Sequence, residues 1–246
     1  MASTATLQGS RGVDDWPSHF GAMGHEYEHH AFGGAALAEQ GRRELEIVLA
    51  ALGHGHGRSV LDIGAGTGRF TCALTELGWK VTALDGAQQM LDCIAERAPD
   101  ATRVLGRLGD PFSFEDAAFD AVVAMRVLKY VPRTGAAIRE MTRVVKVGGS
   151  VVFDVANRRS LARFGYADSP MGFVTPDSIL QIANTAGLEI RSSHDGFRLP
   201  HAVVGRAESP RMARGVGLIE SGLARLAGPG TGRGARSIIF EARRTD

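Results

Sequence analysis

Apolar residues fall in two rhythms along this chain. From about residue 58, runs of strand length alternate with segments in which apolar residues recur every three or four positions. RSVLDIG (58–64) reads as a buried strand stopped by glycine, and TGRFTCALTELG (67–78) as a helix ending in glycine. KVTALD (80–85) is a second strand, and AQQMLDCIAERAP (87–99) a second helix stopped by Pro99. TRVLG (102–106) is a short third strand, and a fourth runs near Phe119 to Met125. TGAAIREMTRVVKVGG (134–149) reads as a helix with a Gly-Gly stop, and SVVFDVAN (150–157) as the fifth strand. TPDSILQIANTAG (175–187) opens with a threonine cap and a proline at the first helical position. LEIRSS (188–193) and ARSIIFEARR (235–244) are the sixth and seventh strands. Such alternation predicts βαβ units, hence an α/β fold of Rossmann-like type, with helices on both faces of a mostly parallel sheet.

The flanking segments are of other kinds. Residues 1–18 are polar and rich in Gly, Ser and Thr, and read as a flexible tail. Residues 19–57 hold a mixed His, Gly and aromatic stretch. A helix follows, with Leu37, Leu45, Val48, Leu49 and Leu52 at helical spacing. Residues 58–246 form the main domain, with a cap-like insertion at about 197–234. Within that insertion Met212, Val216, Ile219, Leu223 and Leu226 make one apolar stripe, weakened by Gly215, Gly217 and Gly222. The stripe predicts that one helix face is buried.

Composition narrows the class. A chain of 246 residues with 44% hydrophobic and 22% charged residues is ordinary for one globular α/β unit. A net charge of +1 does not point to nucleic acid as a partner. The two cysteines, Cys72 and Cys93, suit free thiols in a reducing compartment. MASTATLQGSRG has no apolar core of signal-peptide length, and no run of 18 apolar residues occurs. A soluble, cytoplasmic protein without a transmembrane segment is expected. Residues 198–246 carry nine Arg against four Asp or Glu, a local excess that could attract an anion or a membrane surface.

The most informative segment is VLDIGAGTG (60–68), in which a buried strand meets Gly64, Gly66 and Gly68 and a helix follows at once. Glycines belong where the chain turns sharply and where a ligand approaches too closely for a Cβ. The dinucleotide spacing G-x-G-x-x-G would need glycine at 69, which is Arg69. Asp62, two residues before Gly64, would repel a pyrophosphate but suits a cationic amino-acid ligand. No Gly-Lys-Ser/Thr follows, which excludes a P-loop. The second strand ends in Asp85, an acid placed to accept from both ribose hydroxyls, and equally placed to cap the next helix.

Residues 60–91 resemble the first two motifs of the class I S-adenosylmethionine (SAM)-dependent methyltransferases. FDAVVAMRVLKYVP and REMTRVVKVGGSVVFDVAN continue the likeness, which covers about residues 40–195. The resemblance implies a seven-stranded sheet with the last strand antiparallel, and SAM as cofactor with S-adenosylhomocysteine as product. It puts Gly64, Ala65 and Gly66, with Gly68 closing the loop, against the amino-acid part of SAM. Asp62 would lie near the same end, and Asp85 on the ribose. Gly86 and Met90 would border the adenine, and Met125 and Arg126 would lie near the methionyl part. Many relatives carry an acid after the third strand to meet the adenine amino group. Here Arg107 stands at the nearest place, Leu108 can offer a backbone contact, and Asp110 is an alternative.

Methyl transfer from SAM is an in-line displacement at an activated methyl, so alignment and exclusion of water matter more than a catalytic triad. The segment HFGAMGHEYEHHAFGG is a candidate lid, with Tyr27 closing over the cofactor and Glu28 beside it. The same stretch spells His25-Glu26-Tyr27-Glu28-His29, an H-E-x-x-H pattern. The surrounding Gly21, Gly24, Gly33 and Gly34 leave a stable helix unassured and no third ligand is apparent, so no metal is expected. His29, His30, His194 and His201 are candidates for a general base, each also readable as a surface residue. His54 and His56 read as solvated. Tyr130, Tyr166 and Phe173 are candidate walls of an acceptor pocket, or packing beneath the insertion.

The expectation is a methyltransferase acting on O or N, less readily C, of a small-molecule acceptor that is aromatic or anionic. A homodimer is compatible with the insertion helix. An NAD-linked oxidoreductase and a SAM-binding regulatory protein without catalysis are the alternatives.

Overall fold

The computed structural model describes residues 16–108, 111–160, 172–228 and 232–246, apart from the side chains of residues 25, 30, 201 and 202. The candidates Asp110 and Tyr166 lie outside the described residues, as do the side chains of His30 and His201.

Four strands form the parallel centre of the sheet. β1 (Ser59–Ile63) pairs with β2 (Lys80–Asp85) on one side and β4 (Phe119–Ala124) on the other, and β4 pairs with β5 (Val145–Asn157). Val60, Leu61, Ile63, Val122 and Val123 are shielded on both faces, which is why these strands read as unbroken apolar runs rather than alternating ones. β3 (Thr102–Leu105) extends the sheet beyond β2. At the other end β8 (Ser237–Arg244) runs antiparallel between β5 and β7 (Leu188–Asp195). The order is β3-β2-β1-β4-β5-β8-β7.

The helices cover both faces. On one face α3 (Ala35–Leu52), α4 (Arg69–Glu76) and α5 (Gln88–Arg97) bring Val48, Leu74 and Ile94 against Val60, Val81 and Val123. On the other, α6 (Thr134–Val144) and α7 (Pro176–Thr185) bring Ile138, Met141 and Ile179 against Leu61, Val122 and Phe153. Both cysteines are free thiols, on α4 and α5. No helix among the described residues is long and apolar enough to cross a membrane.

Four details differ from the sequence expectation. The sheet has eight strands, not seven, because β6 (Phe173–Val174) pairs with Ala156 and Asn157 at the end of β5. Two residues carry no periodicity, so only a neighbour's free edge reveals such a strand. The helix expected over 134–149 ends at Val144, and Val145 already pairs with Phe119. The valines at 144, 145 and 147 suit a pleated strand better than a helix. Helix α1 (Trp16–Gly21) begins inside the stretch read as a tail. The insertion folds as α8 (His201–Gly205) and α9 (Pro210–Ala227), and α9 leaves most of its apolar stripe exposed.

The cap on α7 follows the sequence reading, with Thr175 Oγ1 accepting from Ser178 N at 3.3 Å and Pro176 at the first helical position. Thr175→Ala should lower the free energy of unfolding by about 1 kcal/mol, measured by urea titration.

Candidate active site

The site grows from the point where β1 stops. Gly64 and Ala65 donate their N–H groups to Leu84 O at 2.8 and 3.1 Å, which binds the loop to the end of β2. Gly64 has φ +67, and a Cβ there would lie 2.6 Å from Val127 Cγ2. Asp85 closes the tie, with Oδ2 accepting from Gly66 N at 2.8 Å and Oδ1 from Ala87 N at 2.9 Å. Burial raises its pKa, and the N–H groups of Gly66, Ala87 and Gly86 oppose that rise. Asp85 does not cap α5, whose N-cap is Ala87 without a side-chain cap bond; it braces the turn before the helix, and each oxygen keeps lone-pair capacity for a further donor.

Above the loop lies a cavity of about 330 Å³. Gly64, Gly66, Asp85, Gly86, Met90, Met125 and Arg126 share its wall with Arg107 and Leu108 beyond β3, and Tyr27 and Tyr130 also face it. Asp62, Ala65 and Gly68 are not in the wall. Ala65 is buried within the loop, and Gly68, at φ +91, precedes α4. Asp62 lies behind the loop, 1% exposed, and accepts from Thr71 Oγ1 at 2.6 Å. Burial raises its pKa to about 6, more than the Thr71 bond lowers it.

The roof is aromatic. Trp16 and Phe20, from α1, stand 4.5 and 5.1 Å from the Tyr130 ring, and Phe20 meets Tyr27 edge-on at 5.7 Å. Tyr27 opens α2 (Tyr27–Phe32). The neighbouring Glu28 clips this short helix down. Its Oε1 accepts from Thr67 Oγ1 at 2.8 Å and from Arg97 Nη1 at 2.6 Å. Burial opposes its charge, yet these two donors hold its pKa below the ordinary value. Trp16 and Pro17 fall in the stretch read as a tail, and nothing periodic around them signals a wall residue.

A buried charge cluster backs the roof. Glu44 on α3 meets Arg69 at 3.1 Å and Arg126 at 4.0 Å. The ring of Phe32 lies 4.2 Å from one guanidinium and 4.6 Å from the other. Arg126 takes a left-handed backbone, φ +61, and donates its N–H to Asp154. Burial raises Asp154 to about 6. Glu44 and Arg69 read in sequence as ordinary polar helix positions, so this cluster carried no signal.

None of the described histidine side chains lies in the cavity wall. His29 is exposed on α2. His194 sits in β7, at the antiparallel edge, with Nε2 2.5 Å from Glu241 Oε1. His54 and His56 are exposed. Phe173 is half-buried in β6 and is not a wall residue. Among the described residues no group of three or more His, Cys, Asp or Glu could hold a metal ion.

The wall suits a nucleoside joined to a charged amino acid. Trp16 Nε1 and Arg126 Nη1 are buried donors with no hydrogen-bond partner among the described residues. Gly66 takes a left-handed backbone, φ +55, which is what calls for glycine there. The two orphaned donors call for acceptor groups, which a carboxylate or a nucleoside can supply.

Residues 61–153 match the family model described as "Methyltransferase domain". A malonyl-[acyl-carrier protein] O-methyltransferase of Serratia marcescens is 35% identical over 134 residues, 54% of this chain and 51% of that protein. A demethylmenaquinone methyltransferase of Renibacterium salmoninarum is 37% identical over 113 residues, 46% and 47% of the two chains. The chain spans about half the length of these curated relatives. A solved geranyl diphosphate C-methyltransferase of Streptomyces coelicolor, in complex with S-adenosyl-L-homocysteine, has the same fold. Its TM-score is 0.70 at 16% identity, over 98% of this chain and 100% of that one.

The raised pKa of Asp62 has a consequence for stability. The folded chain holds this proton more tightly than the unfolded chain. The stabilisation is therefore full below about pH 4 and is lost as pH rises through about 6. Asp62→Asn should flatten the fall in unfolding free energy between pH 4 and pH 7, by up to about 3 kcal/mol. Urea titrations at each pH test this, and an unaltered slope would place the titration elsewhere.

Proposed function

We propose that this chain, a member of the class I SAM-dependent methyltransferases through its domain at residues 61–153, transfers a methyl group from SAM to an oxygen or nitrogen of a small acceptor. The observation that carries this reading is one cavity whose wall joins the glycine loop and Asp85 to an aromatic roof.

SAM supplies a sulfonium-activated methyl group, and the protein's part is alignment and exclusion of water. Asp85 accepts from the ribose hydroxyls with its remaining lone pairs. Gly86, Met90, Arg107 and Leu108 border the adenine. Gly64, Gly66 and Met125 flank the methionyl part, and Arg126, whose Nη1 makes no hydrogen bond among the described residues and stands 4.0 Å from Glu44, supplies positive charge for the carboxylate. Asp62 acts from behind the loop, as a charge beneath the amino-acid end. Tyr27 closes the roof, held by the Glu28 clip.

Trp16, Phe20 and Tyr130 form the acceptor end, beside Val131, Pro132 and Arg133. Burial lifts the Tyr130 pKa to about 12, so its hydroxyl stays neutral near pH 7 and serves as a donor to the acceptor rather than a base. Among the described residues the wall carries Arg107, Arg126 and Arg133 against one acid, Asp85. That excess favours an anionic acceptor with a flat or apolar body. An acid that arrives already ionised needs no general base, which fits a wall with no histidine among the described residues. The free thiols of Cys72 and Cys93 fit work in the cytoplasm.

Calorimetric titration should show binding of SAM and S-adenosylhomocysteine but not NAD. Binding of NAD alone would turn the loop into a dinucleotide site and end this reading. Asp85→Ala should weaken SAM binding by about 1–3 kcal/mol, through the donors it leaves unpaired. Unchanged affinity in a folded variant would remove Asp85 from the ribose.

A further inference from the structure

Helix α9 keeps little of its apolar surface for the protein's own interior. Its one buried residue is Glu220. That carboxylate accepts from the backbone N–H groups of Arg198 at 2.9 Å and Leu199 at 2.6 Å. Ala213 and Val216, on the same side of the helix, pack against the cluster of Ala36, Leu37 and Val204. The adjoining flank carries Met212, Ile219, Leu223 and Leu226, whose helical spacing puts them on one side. They are 51%, 55%, 36% and 87% exposed, and Leu218 beyond them is 76% exposed. Gly215 and Gly222 lie on the same flank, and a Cβ on either would meet nothing within 4 Å. No described element therefore fills this surface.

The exposed charges on the helix are of one sign. Its exposed charged residues are Arg211, Arg214 and Arg225, and its one acid is the inward-turned Glu220. An apolar flank on a helix whose exposed charges are all arginine matches an anionic bilayer. The flank can enter the boundary between headgroups and acyl chains, while the long arginine stems let the guanidinium groups reach lipid phosphates. A second copy of the helix is a poorer match. Antiparallel packing would bring Arg225 of one copy towards Arg211 and Arg214 of the other, with no exposed acid on the helix to pair with them.

We propose that α9 is an interfacial helix, which docks the protein onto an anionic lipid surface through Met212, Ile219, Leu223 and Leu226. The helix is also joined to the lid. Ala35 N donates to Glu208 O at 3.2 Å, and Ala36 N to Ala207 O at 3.3 Å. The turn leading into α9 thus holds the start of α3, three residues after the lid helix α2 ends. Docking places the bilayer beside the start of α3, the helix that follows α2.

The test is co-flotation of the full chain with vesicles of phosphatidylcholine alone, and with vesicles containing phosphatidylglycerol. Binding should be about tenfold or more stronger on the anionic vesicles, and should fall as salt rises. Ile219→Ser with Leu223→Ser and Leu226→Ser should abolish it, with the thermal midpoint unchanged because these side chains are exposed. Arg211→Gln with Arg214→Gln and Arg225→Gln should remove the preference for anionic lipid. Three results would each overturn the proposal. One is no binding to either vesicle. Another is binding that survives the serine variant. The third is a dimer in light scattering that the serine variant converts to monomer.

Discussion

The hydrogen bond from Gly66 N to Asp85 Oδ2 governs the geometry of the site. β1 and β2 lie in register, Ile63 beside Leu84, so the loop leaving β1 must cross directly over the end of β2. Only backbone fits in that crossing, because a Cβ on Gly64 would enter Val127. Two hydrogen bonds, from Gly66 and Ala87, hold the Asp85 carboxylate in the cavity wall. The loop, the start of α5 and the acid then form one rigid edge. A ligand meets that edge preformed, and the ordering cost has been met in folding.

The roof rests on that edge through charge rather than through apolar packing alone. Glu28 reaches from α2 to Thr67 in the loop and to Arg97 on α5. Behind it, Glu44 stands between two guanidinium groups that both face the Phe32 ring. Burying these charges is costly, and the cost is offset only while the pairs remain together. Such an arrangement favours a defined closed position over a loosely packed one. The left-handed turn at Arg126, with its N–H on Asp154, belongs to the same economy of local strain and directed charge.

The antiparallel edge contributes differently. β8 and β7 complete the sheet and carry His194 and Glu241 away from the cavity wall. The insertion between them returns over the start of α3 and leaves α9 at the surface. The cavity and the exposed helix flank are therefore separate features. The backbone bonds at Ala35 and Ala36 join the turn before α9 to the start of α3.

The sequence by itself determined the order of the main elements, because buried parallel strands and amphipathic helices differ in period and are punctuated by glycine and proline. It also determined the glycine loop and the acid at the end of β2, since backbone crossings and carboxylate positions are set within a few residues of each strand end. Only the tertiary structure decided which side chains share the cavity. Trp16 and Phe20 reach Tyr130 from more than a hundred residues away, and Glu44 meets Arg69 and Arg126 across three elements. The short β6 exists because β5 offers it an edge. For α9, periodicity identified an apolar stripe but not its direction. The buried side was chosen by two backbone N–H groups that needed the carboxylate of Glu220, and that choice left the leucines in solvent. Local spacing encodes local geometry, whereas contacts between distant segments depend on how those segments pack.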